Sequence, residues 1–571
     1  MTVTTDRAAA AKSGTQAVPR QAAKPRTQAA TGQAAKPRTQ AASRTAAKPR
    51  TQAAPRTAAK PRTQAASRTA AKPRTQAAPR TAAKSRTQAA PRTAAKPRTE
   101  AVPPQRSRAA APLSRADRAA RGKDARAVAP LESHAQFSPG RGRDPVGLLL
   151  GQAGSRVPEL VPVRHGRMMV SPFTYYRGAA LPMAADLANT PAAGLRVQVC
   201  GDAHLSNFGA FASPERNLVF DVNDFDETLP GPFEWDVKRL AASLIVAGRD
   251  NGFPAKASRK IALAAAEGYR TAMRGFAEQT LLDVWYAHLD IEPAIKEIKS
   301  QVKAKRAKMF EKLLAKAHTK DSTSALAKLT AEVDGQRRII SDPPTIVPIE
   351  ELFAGVEAAA IYEQIRAVVS KYGRSLQSDR RHLLSEFNLV HVARKVVGVG
   401  SVGTRAWIAL MDAADGVEPL VLQAKEAQPS VLAEFAGRSQ YSNEGERVVA
   451  GQHLMQAQSD IFLGWTRITG PDGIDRDFYV RQLRDWKFSV PIEVMRPEGM
   501  TLYARLCGWT LARAHARSGD RVALAAYLGG SAKFDNAIAD FAETYADQNE
   551  LDYAAFQAAV KDGRAEAITE V

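Results

Sequence analysis

The spacing of apolar and polar positions changes several times along this chain, and each change predicts a different kind of element. Helical periodicity dominates over residues 235–317 and again over 349–387, and helices return from Leu502 onward. Between them, residues 396–484 show the alternation typical of strands, interrupted by one helix. Earlier, two short β-like runs flank a turn-prone Ser-Pro-Glu-Arg, which predicts a hairpin. This mixture predicts an α+β fold.

Residues 1–110 lack this patterning and form a repeat. Seven lysines, 12 positions apart from Lys24 onward, open units that read KPRTQAA or a close variant. Frequent proline rules out a continuous helix, and Ala, Pro and Thr offer too little apolar surface for a core. The sequence therefore predicts a disordered tail, which an Arg-rich linker extends to residue 143.

The positive charge of the chain is concentrated in this tail. The net charge is +23, and residues 1–110 hold 24 Lys and Arg against 2 Asp and Glu, so the rest of the chain is nearly neutral. That neutrality argues against a purely DNA-associated protein with a large phosphate-binding face on its folded part. The tail resembles the Ala-Lys-Pro tails of bacterial histone-like proteins, which implies nonspecific contact with DNA or RNA through phosphate neutralisation. A solubilising low-complexity extension is the alternative.

Cysteine content and hydropathy indicate the compartment. The two cysteines, Cys200 and Cys507, are too few for a disulfide framework and have no paired spacing for zinc. The N-terminus has no apolar stretch of the signal-peptide type, and no apolar run reaches the roughly 20 residues that span a bilayer. We therefore expect a cytoplasmic protein with no membrane partner, associated with the nucleoid if the tail binds nucleic acid.

Acids and amides cluster in the stretch CGDAHLSNFG and, after the turn, in FDVNDFDE. Asp202 and Asp224 stand on loops at the two ends of the predicted hairpin, which brings these loops side by side. With the amide of Asn207 and the nearby Asp226, they make a set of hard oxygen ligands suited to magnesium. An acid-rich loop that caps helices or holds a structural ion is the alternative. His204 is as readily a packed histidine as a chemical group.

A glycine-rich loop lies at the start of the strand-like region. Gly398, Gly400 and Gly403 form a G-x-G-x-x-G, which dinucleotide-binding folds and kinases both use. A β-like run follows the glycines, which favours the kinase arrangement, a hairpin over nucleotide phosphates. Lys425 on the next strand suits the lysine that holds the α- and β-phosphates. An ordinary tight hairpin and an edge-strand lysine in water are the alternatives.

The helix after this strand, NEGERVVAGQHLMQAQSD, supplies a carboxylate partner for the lysine. Glu444 and Glu446 both suit that role, and the sequence does not choose between them. Two further strands follow, as a small nucleotide-binding lobe and its hinge require.

GDAHLSNFG followed by FDVNDFDE resembles the catalytic and metal-binding loops of the aminoglycoside-phosphotransferase branch of the protein-kinase-like superfamily. These loops read roughly H-G-D-x-H-x-x-N and I-D-x-x-D, and Cys200 stands in place of the leading histidine. The resemblance implies that Asp202 orients the acceptor hydroxyl. It also implies that Asn207 and Asp224 bind magnesium, with Asp226 as a second candidate ligand. Asp236 then corresponds to a structural acid of the family.

The order of the motifs differs from that of a kinase, because the glycine loop and lysine follow the catalytic loop instead of preceding it. Circular permutation explains this order, since domain termini often lie close together. The helix LYARLCGWTLARAHARSGD would then correspond to the one that normally precedes the catalytic loop. At its end His515 and Asp520 resemble a second H-x-R-x-x-D signal. We expect them to support the site, and the alternative is a helix-end histidine with a capping acid.

Residues 144–530 resemble an uncharacterised bacterial family, domain of unknown function 2252. The motifs that carry this resemblance are RMMVSPFTYYRG, CGDAHLSNFG, DVNDFDETLPGPFEWDVKRL, KVVGVGSVGTR, LQAKEA, YVRQLRD and LARAHARSGD. The resemblance implies a kinase-like relationship without a settled activity. In the first motif, Arg167 and Arg177 flank a Ser-Pro-Phe turn, where they would clamp a phosphate or carboxylate or else brace this segment against the acidic loop.

Together these features predict a kinase-like, two-lobed α+β fold with a permuted motif order. The predicted parts are the tail and linker (1–143), a helical lobe with the catalytic and metal-binding loops (144–390), a small β-rich nucleotide-binding lobe (391–490) and C-terminal helices on the helical lobe (491–571). The predicted function is ATP- and Mg²⁺-dependent phosphotransfer to an unknown hydroxyl acceptor, a small molecule or a protein, with nucleotidyl transfer as a variant. The alternative is a non-catalytic nucleotide-binding or scaffold module tethered to nucleic acid by its tail.

Overall fold

The computed structural model describes residues 113–292, 322–353, 358–396, 398–416, 418–470, 472–483 and 490–569. The predicted disordered tail (residues 1–110) and residues 297–317, the end of the first region of predicted helical periodicity, lie outside these residues. The described residues contain both helices and strands, which confirms the α+β class.

The described helices form an N-terminal group, a middle group and a long C-terminal group. They are α1 (Arg115–Val128), α2 (Pro145–Gly151), α3 (Val161–Met168), α4 (Pro172–Gly178), α5 (Ala180–Leu187), α6 (Phe233–Asp250), α7 (Ala255–Glu278), α8 (Leu281–Tyr286), α9 (Ser322–Leu329), α10 (Ile349–Leu352), α11 (Ala358–Gly373), α12 (Ser378–Ser385), α13 (Ala433–Ala436), α14 (Glu444–Met455), α15 (Pro497–Ser518), α16 (Arg521–Leu528) and α17 (Lys533–Lys561).

The described strands pair antiparallel in four sheets. They are β1 (Arg196–Val199), β2 (Phe208–Ala212), β3 (Leu218–Val222), β4 (Leu229–Pro232), β5 (Thr330–Val333), β6 (Gln336–Ile339), β7 (Ile346–Pro348), β8 (Phe387–Lys395), β9 (Ala406–Ala413), β10 (Pro419–Ala427), β11 (Gly464–Thr469) and β12 (Asp475–Gln482). β1 pairs with β4, β2 with β3, and β5 with β6, while the largest sheet has the order β11-β12-β10-β9-β8-β7.

The main hydrophobic core lies among the long helices α6, α7, α15 and α17. On α7, Ile261, Ala265 and Tyr269 recur every four residues, which places them on one buried face. Gly508 of α15 packs so closely on α7 that a Cβ there would overlap the carbonyl oxygen of Ala265. The lack of a side chain at Gly508 therefore sets the spacing of these two helices.

The six-stranded sheet contains the two segments with predicted nucleotide-binding residues. β8 and β9 form a hairpin whose connection carries the glycine loop, and β9 pairs with β10 so that Ala406 lies opposite Lys425. β10 pairs in turn with β12, where Tyr479 lies opposite Lys425. Helix α14 follows β10 in the chain and packs against β11 and β12. Because a strand and not a helix follows the glycines, the loop lacks the context of a dinucleotide fingerprint.

The folded part begins earlier than the predicted boundary near Asp144. Helix α1 starts with a capping box, in which Ser114 accepts from the backbone N–H of Asp117 and the Asp117 carboxylate accepts from that of Ser114. The helix packs on α16 through Gly122 and the buried Ala125. Charged residues dominate α1, so its narrow apolar stripe of small side chains gave a weak sequence signal.

The C-terminus of α15 lies against β1, the strand that precedes the acidic stretch CGDAHLSNFG. The backbone N–H of Gln198 in β1 donates to the hydroxyl of Ser518 at 3.1 Å. A Cβ on Gly519, the residue after α15, would lie 3.2 Å from the carbonyl oxygen of Arg196. The end of this helix and the start of β1 are therefore direct neighbours, although more than half of the chain separates them.

Within the described part of the chain, no helix is both long enough and apolar enough to cross a membrane.

Candidate functional site

The hairpin of β2 and β3 joins the two acidic loops. The sequence predicts a hairpin around Ser-Pro-Glu-Arg, but the β-like run before Cys200 is β1 and pairs with β4, so the first strand of the hairpin is β2. Phe208 lies opposite Val222 at its open end, and the backbone N–H of Asn223 donates to the carbonyl of Asn207 at 2.8 Å. Asp202 precedes this hairpin and Asp224 follows it. The strand pairing thus brings residues 202–207 and 223–227 to one edge, where their side chains face a common cleft.

Asp202 is held by a buried arginine. Arg239 on α6 donates from Nε to Asp202 Oδ1 at 2.8 Å, and its terminal nitrogen lies 2.6 Å from the same oxygen. The other carboxylate oxygen, Oδ2, lies 3.6 Å from Nε2 of His204. Burial, together with the charges of Arg177 and Arg239, holds the pKa of His204 well below its usual range, so this histidine is neutral. Asp202 therefore has one oxygen fixed by Arg239 and the other beside a neutral imidazole.

Asp236 anchors the backbone before Asp202. Its carboxylate, 1% exposed, accepts from the N–H groups of Cys200 and Gly201 at 2.7 and 3.0 Å. His515 of α15 reaches the same carboxylate with Nε2 at 3.2 Å. The other ring nitrogen, Nδ1, lies 2.9 Å from the Tyr269 hydroxyl. His515 therefore contacts the loop through Asp236, while Cys200 is a fully buried thiol.

The structure separates Asp520 from this cluster. Its carboxylate caps α16, accepting from the N–H groups of Val522 and Ala523, and pairs with Arg118 of α1 at 2.7 Å. Asp520 does not line the cleft, so its position is that of the helix-capping acid that the sequence left open as an alternative.

Asn207 presents its amide oxygen toward the cleft. The side-chain Nδ2 donates to the carbonyl of Asp202 at 2.8 Å, which fixes the orientation of the amide. No donor to Oδ1 is present among the residues that the structure describes. Asn207 lines the same cleft as Asp224, and amide and carboxylate oxygens are hard ligands of the kind that magnesium takes.

Lys425 joins the β-sheet to the acidic loop. Its ammonium, 3% exposed, donates to Asp226 Oδ2 at 2.7 Å and lies 3.9 Å from Asp224 Oδ1. Asp226 also accepts from the hydroxyls of Tyr479, at 2.5 Å, and Ser401, at 3.3 Å. Burial alone would raise the pKa of Asp226, but the charge and hydrogen bond of Lys425 outweigh it and lower that pKa to about 2. Both oxygens of Asp226 therefore already have protein donors.

The predicted glutamate partners of Lys425 do not reach it. Glu444 pairs with Arg447 at 2.5 Å, and no ion pair joins Glu446 to Lys425 among the described residues. Arg447 instead donates to the carbonyls of Thr228, Asp226 and Gln428 at 2.7–2.9 Å. Arg447 thus connects helix α14 to the loop of residues 223–228 through backbone carbonyls, and the carboxylate that bonds to Lys425 belongs to Asp226.

The glycine loop is held by its carbonyl groups. Arg167 donates to Gly398 O at 2.8 Å, Arg156 donates to Gly400 O at 2.9 Å and to Val402 O at 2.5 Å, and the N–H of Val157 donates to Gly403 O at 2.8 Å. The backbone N–H groups of Val399, Gly400, Ser401 and Gly403 have no acceptor within the described ranges. Gly398 and Gly403 have φ of +69° and +92°, the left-handed region that favours glycine. Among the described residues, these four loop carbonyls therefore accept hydrogen bonds, whereas these four N–H groups donate none.

One cleft of about 500 Å³ collects these groups. Three short segments between residues 152 and 181, the two acidic loops, the glycine loop and the residues after β10 form its walls. The predicted residues that line it are Asp202, His204, Asn207, Asp224, Asp226, Gly398, Gly400 and Arg177. Lys425 does not line the cleft but bonds to Asp226, which does. Arg167 and His515 do not line it either; Arg167 bonds to the carbonyl of Gly398 and His515 contacts Asp236.

Several cleft residues have no recognisable motif in the sequence. Arg156 lies in the irregular stretch before α3 and Arg164 lies on α3, both ahead of the first motif, and no spacing rule connects them to residues 200–227. Glu227, the last residue of FDVNDFDE, was not singled out by the motif but also lines the cleft. Burial raises its pKa to about 7, although the N–H of Val431 donates to it. Asp221, the first acid of FDVNDFDE, is buried, forms an ion pair with Arg513 at 2.5 Å and does not line the cleft. Its position on β3, between buried apolar residues, was the available signal.

The oxygen ligands fit a magnesium ion that is held mainly by its substrate. No cluster of three or more His, Cys, Asp or Glu in metal-binding geometry exists among the described residues. Mg²⁺ bound with a nucleotide commonly uses one or two carboxylates, water and phosphate oxygens. Asp224 and the Oδ1 atom of Asn207 would supply that protein share, and Asp226 could join them only by loosening its bond to Lys425.

A protein-family model described as "Uncharacterized protein conserved in bacteria (DUF2252)" matches residues 156–559. No curated protein and no solved structure matches the chain.

Proposed function

We propose that this chain, which belongs to the DUF2252 family of proteins conserved in bacteria, is a kinase-like phosphotransferase that uses ATP and Mg²⁺. The observation that carries the proposal is the convergence of two distant parts of the sequence. Asp202, Asn207 and Asp224 share one cleft with the glycine loop, and Lys425 bonds to Asp226 at 2.7 Å.

The order of elements around the cleft supports a permuted kinase arrangement. A glycine hairpin, a lysine on the next strand and a helix after it follow one another in β8, β9, β10 and α14, as in kinases. The end of α15 abuts the start of β1, so a chain that ran directly from this helix into residues 196–227 would restore the usual order. The short distance between these two points is what circular permutation requires.

The nucleotide phosphates would bind between the glycine loop and Lys425. Open N–H groups at Val399, Gly400 and Ser401 form the kind of backbone concavity that binds anions. The buried ammonium of Lys425 is close to this loop, because Lys425 and Ser401 donate to the same oxygen of Asp226. Phosphoryl transfer depends chiefly on such positioning and charge neutralisation.

Asp202 would act on the acceptor hydroxyl. With Oδ1 fixed by Arg239, the free face of the carboxylate is Oδ2, which takes the hydroxyl proton. The acceptor oxygen bonds to the γ-phosphorus as the bond from phosphorus to the β–γ bridging oxygen breaks, which leaves ADP. Bound Mg²⁺ would neutralise charge on the phosphate oxygens, and Asn207 and Asp224 would hold it.

A non-catalytic nucleotide-binding module is the second candidate. The observation in its favour is that protein donors already occupy both oxygens of Asp226, which leaves one carboxylate and one amide for the metal. In that function the nucleotide would bind and stabilise the protein without turnover, and the tail would tether it to nucleic acid.

Nucleotide binding to the full-length protein tests both candidates. We expect Mg²⁺·ATP to raise the melting temperature and Asp224→Asn to remove the magnesium-dependent part of the rise. Asp124→Asn is the matched control, because Asp124 is exposed on α1. Release of ADP from ATP, abolished by Asp202→Asn with ATP binding retained, would separate the enzyme from the binding module. If ATP gives no shift, or the same shift in Asp224→Asn, the nucleotide site is wrong.

A further inference from the structure

Three arginines in the cleft have charges that no bonded carboxylate balances. Arg156, Arg164 and Arg177 come from the segment between residues 152 and 181, and all three line the cleft. Arg156 and Arg164 donate only to carbonyl or amide oxygens, and the guanidinium of Arg177 has no hydrogen-bond partner among the described residues. In contrast, Arg239 is bonded to Asp202 and Arg405 to Glu426.

Burial makes these charges costly. Arg164 is 1% exposed, and the Nε atoms of Arg156, Arg164 and Arg177 are buried without an acceptor. Burial lowers the pKa of each of the three, and the charge of Arg156 lowers that of Arg164 further. A bonded carboxylate has the opposite effect at Arg239, whose pKa is raised despite burial. An anion in the cleft would relieve the cost of the three arginines.

None of the described cleft carboxylates forms an ion pair with Arg156, Arg164 or Arg177, although the charges of Glu227, Glu426 and Asp226 act on Arg156. Asp202 is bonded to Arg239, and Asp226 to Lys425. The more distant charges of Asp202, Glu493 and Asp224 act on Arg177 without a hydrogen bond. The positive charge of Arg177 is therefore left for a ligand.

The location of Arg177 indicates which ligand this is. The charge of Arg177 acts on His204, the imidazole beside the free oxygen of Asp202. The groups suited to nucleotide phosphates are Lys425 on β10 and the N–H groups of the β8–β9 connection. Arg156 contacts that connection through Gly400 O and Val402 O, whereas the guanidinium of Arg177 forms no hydrogen bond with it among the described residues. An oxyanion bound by Arg177 would thus lie beside the acid that orients the acceptor.

We propose that Arg177, backed by Arg156 and Arg164, forms an oxyanion subsite for the acceptor, which is a hydroxyl compound that also carries a phosphate or carboxylate group. The assignment of the oxyanion to the acceptor rests on the proposed phosphotransferase function, whereas the oxyanion subsite itself does not. A planar guanidinium suits both anions, since it donates two parallel hydrogen bonds to either.

Inorganic phosphate and acetate are the probes for this subsite. Calorimetric titration of the full-length protein at fixed ionic strength should show phosphate binding that Arg177→Ala weakens at least about tenfold, the effect of one lost charge-assisted hydrogen bond. Arg177→Lys should give an intermediate affinity, because it keeps the charge without the planar fork. Arg121→Ala is the control, because Arg121 is exposed on α1 and the tail is unchanged in all these proteins. Acetate bound more tightly than phosphate would identify a carboxylate acceptor, and the reverse a phosphorylated one.

The same titration is repeated with saturating Mg²⁺ and a non-hydrolysable ATP analogue. We expect phosphate to bind together with the analogue, and its affinity still to depend on Arg177. Unchanged phosphate affinity in Arg177→Ala would overturn the subsite. Displacement of phosphate by the analogue would overturn the acceptor assignment, because the arginines would then hold the nucleotide itself. If the analogue does not bind but phosphate still does, the phosphotransferase proposal fails while the oxyanion subsite stands.

Discussion

The hydrogen bonds of Asp236 allow a test of how the loop of residues 200–207, the proposed catalytic loop, is held. Its buried carboxylate accepts two backbone hydrogen bonds, from Cys200 at 2.7 Å and Gly201 at 3.0 Å, and a contact from His515 at 3.2 Å. Asp236→Asn keeps the shape but replaces one acceptor oxygen with a donor NH₂ group. One of the two backbone N–H groups then loses its acceptor and faces another donor.

The cost follows from the bonds that change. A hydrogen bond to a charged group contributes about 1.5–3 kcal/mol, and a buried donor left unsatisfied costs about 1–3 kcal/mol. We therefore expect Asp236→Asn to lower the free energy of unfolding by about 2–4 kcal/mol, with the loss concentrated at residues 200–202. Since about 1.4 kcal/mol corresponds to a factor of ten, local opening there should become about thirtyfold to several hundredfold more frequent.

Hydrogen–deuterium exchange measures that opening directly. Peptides that cover the loop between β1 and β2 should exchange faster in Asp236→Asn, while peptides from α17 keep their rates. The matched control is Asp535→Asn. Asp535 on α17 is also a buried carboxylate, and the substitution breaks its ion pair with Arg270, 2.7 Å away. If the loop exchanges at the wild-type rate in Asp236→Asn, or equally fast in both variants, Asp236 does not hold the catalytic loop.

Three further outcomes are expected. Lys425→Met should leave the partly buried Asp226 without its ion-pair partner, which lowers the free energy of unfolding by up to about 3–5 kcal/mol in urea denaturation. Loss of an edge-strand lysine in water would change it little. Burial raises the pKa of Glu227 from 4.5 to about 7, so the folded state binds more protons than the unfolded state in that window. Stability should therefore fall as pH rises from about 4.5 to 7, and Glu227→Gln should reduce this slope. The remaining slope would come from Glu234, whose pKa is also raised to about 7. An unchanged slope in Glu227→Gln would refute the assignment. Removal of residues 1–110 should abolish salt-sensitive retention on DNA, and retention that persists would show that the tail is not the contact.

The sequence predicted the residues of the cleft best where chemistry required a fixed spacing. Asp202, Asn207 and Asp224 meet because one hairpin joins their loops, and a hairpin is a local structure that turn residues and strand alternation make visible. The β5–β6 hairpin has a comparable sequence signal in Asp334-Gly335, a pair typical of two-residue hairpin turns. Both residues have the positive φ that such a turn needs.

Contacts between distant segments could not be predicted in the same way. The partner of Lys425 depends on how β10 lies against the acidic loop, so two glutamates on the next helix were as plausible from spacing as Asp226. Arg156 and Arg164 depend on tertiary packing alone, because they lie outside every motif and reach the glycine loop or α4 only in the folded chain. Helix α1 was missed since its apolar stripe consists of glycine and alanine, whose burial depends on the neighbouring α16.

The tight contact of α7 with α15 has a use in bacterial genetics. A methyl group at residue 508 would overlap the Ala265 carbonyl, so Gly508→Ala must push the two helices apart without touching any cleft residue. Overpacking of this kind typically costs about 1–3 kcal/mol, a cost that a folded chain survives at low temperature more readily than at high temperature. Gly508→Ala is therefore the substitution to try for a temperature-sensitive allele. Such an allele would expose the cellular role of this protein, and thereby its acceptor, while the chemistry of the cleft stays intact at the permissive temperature.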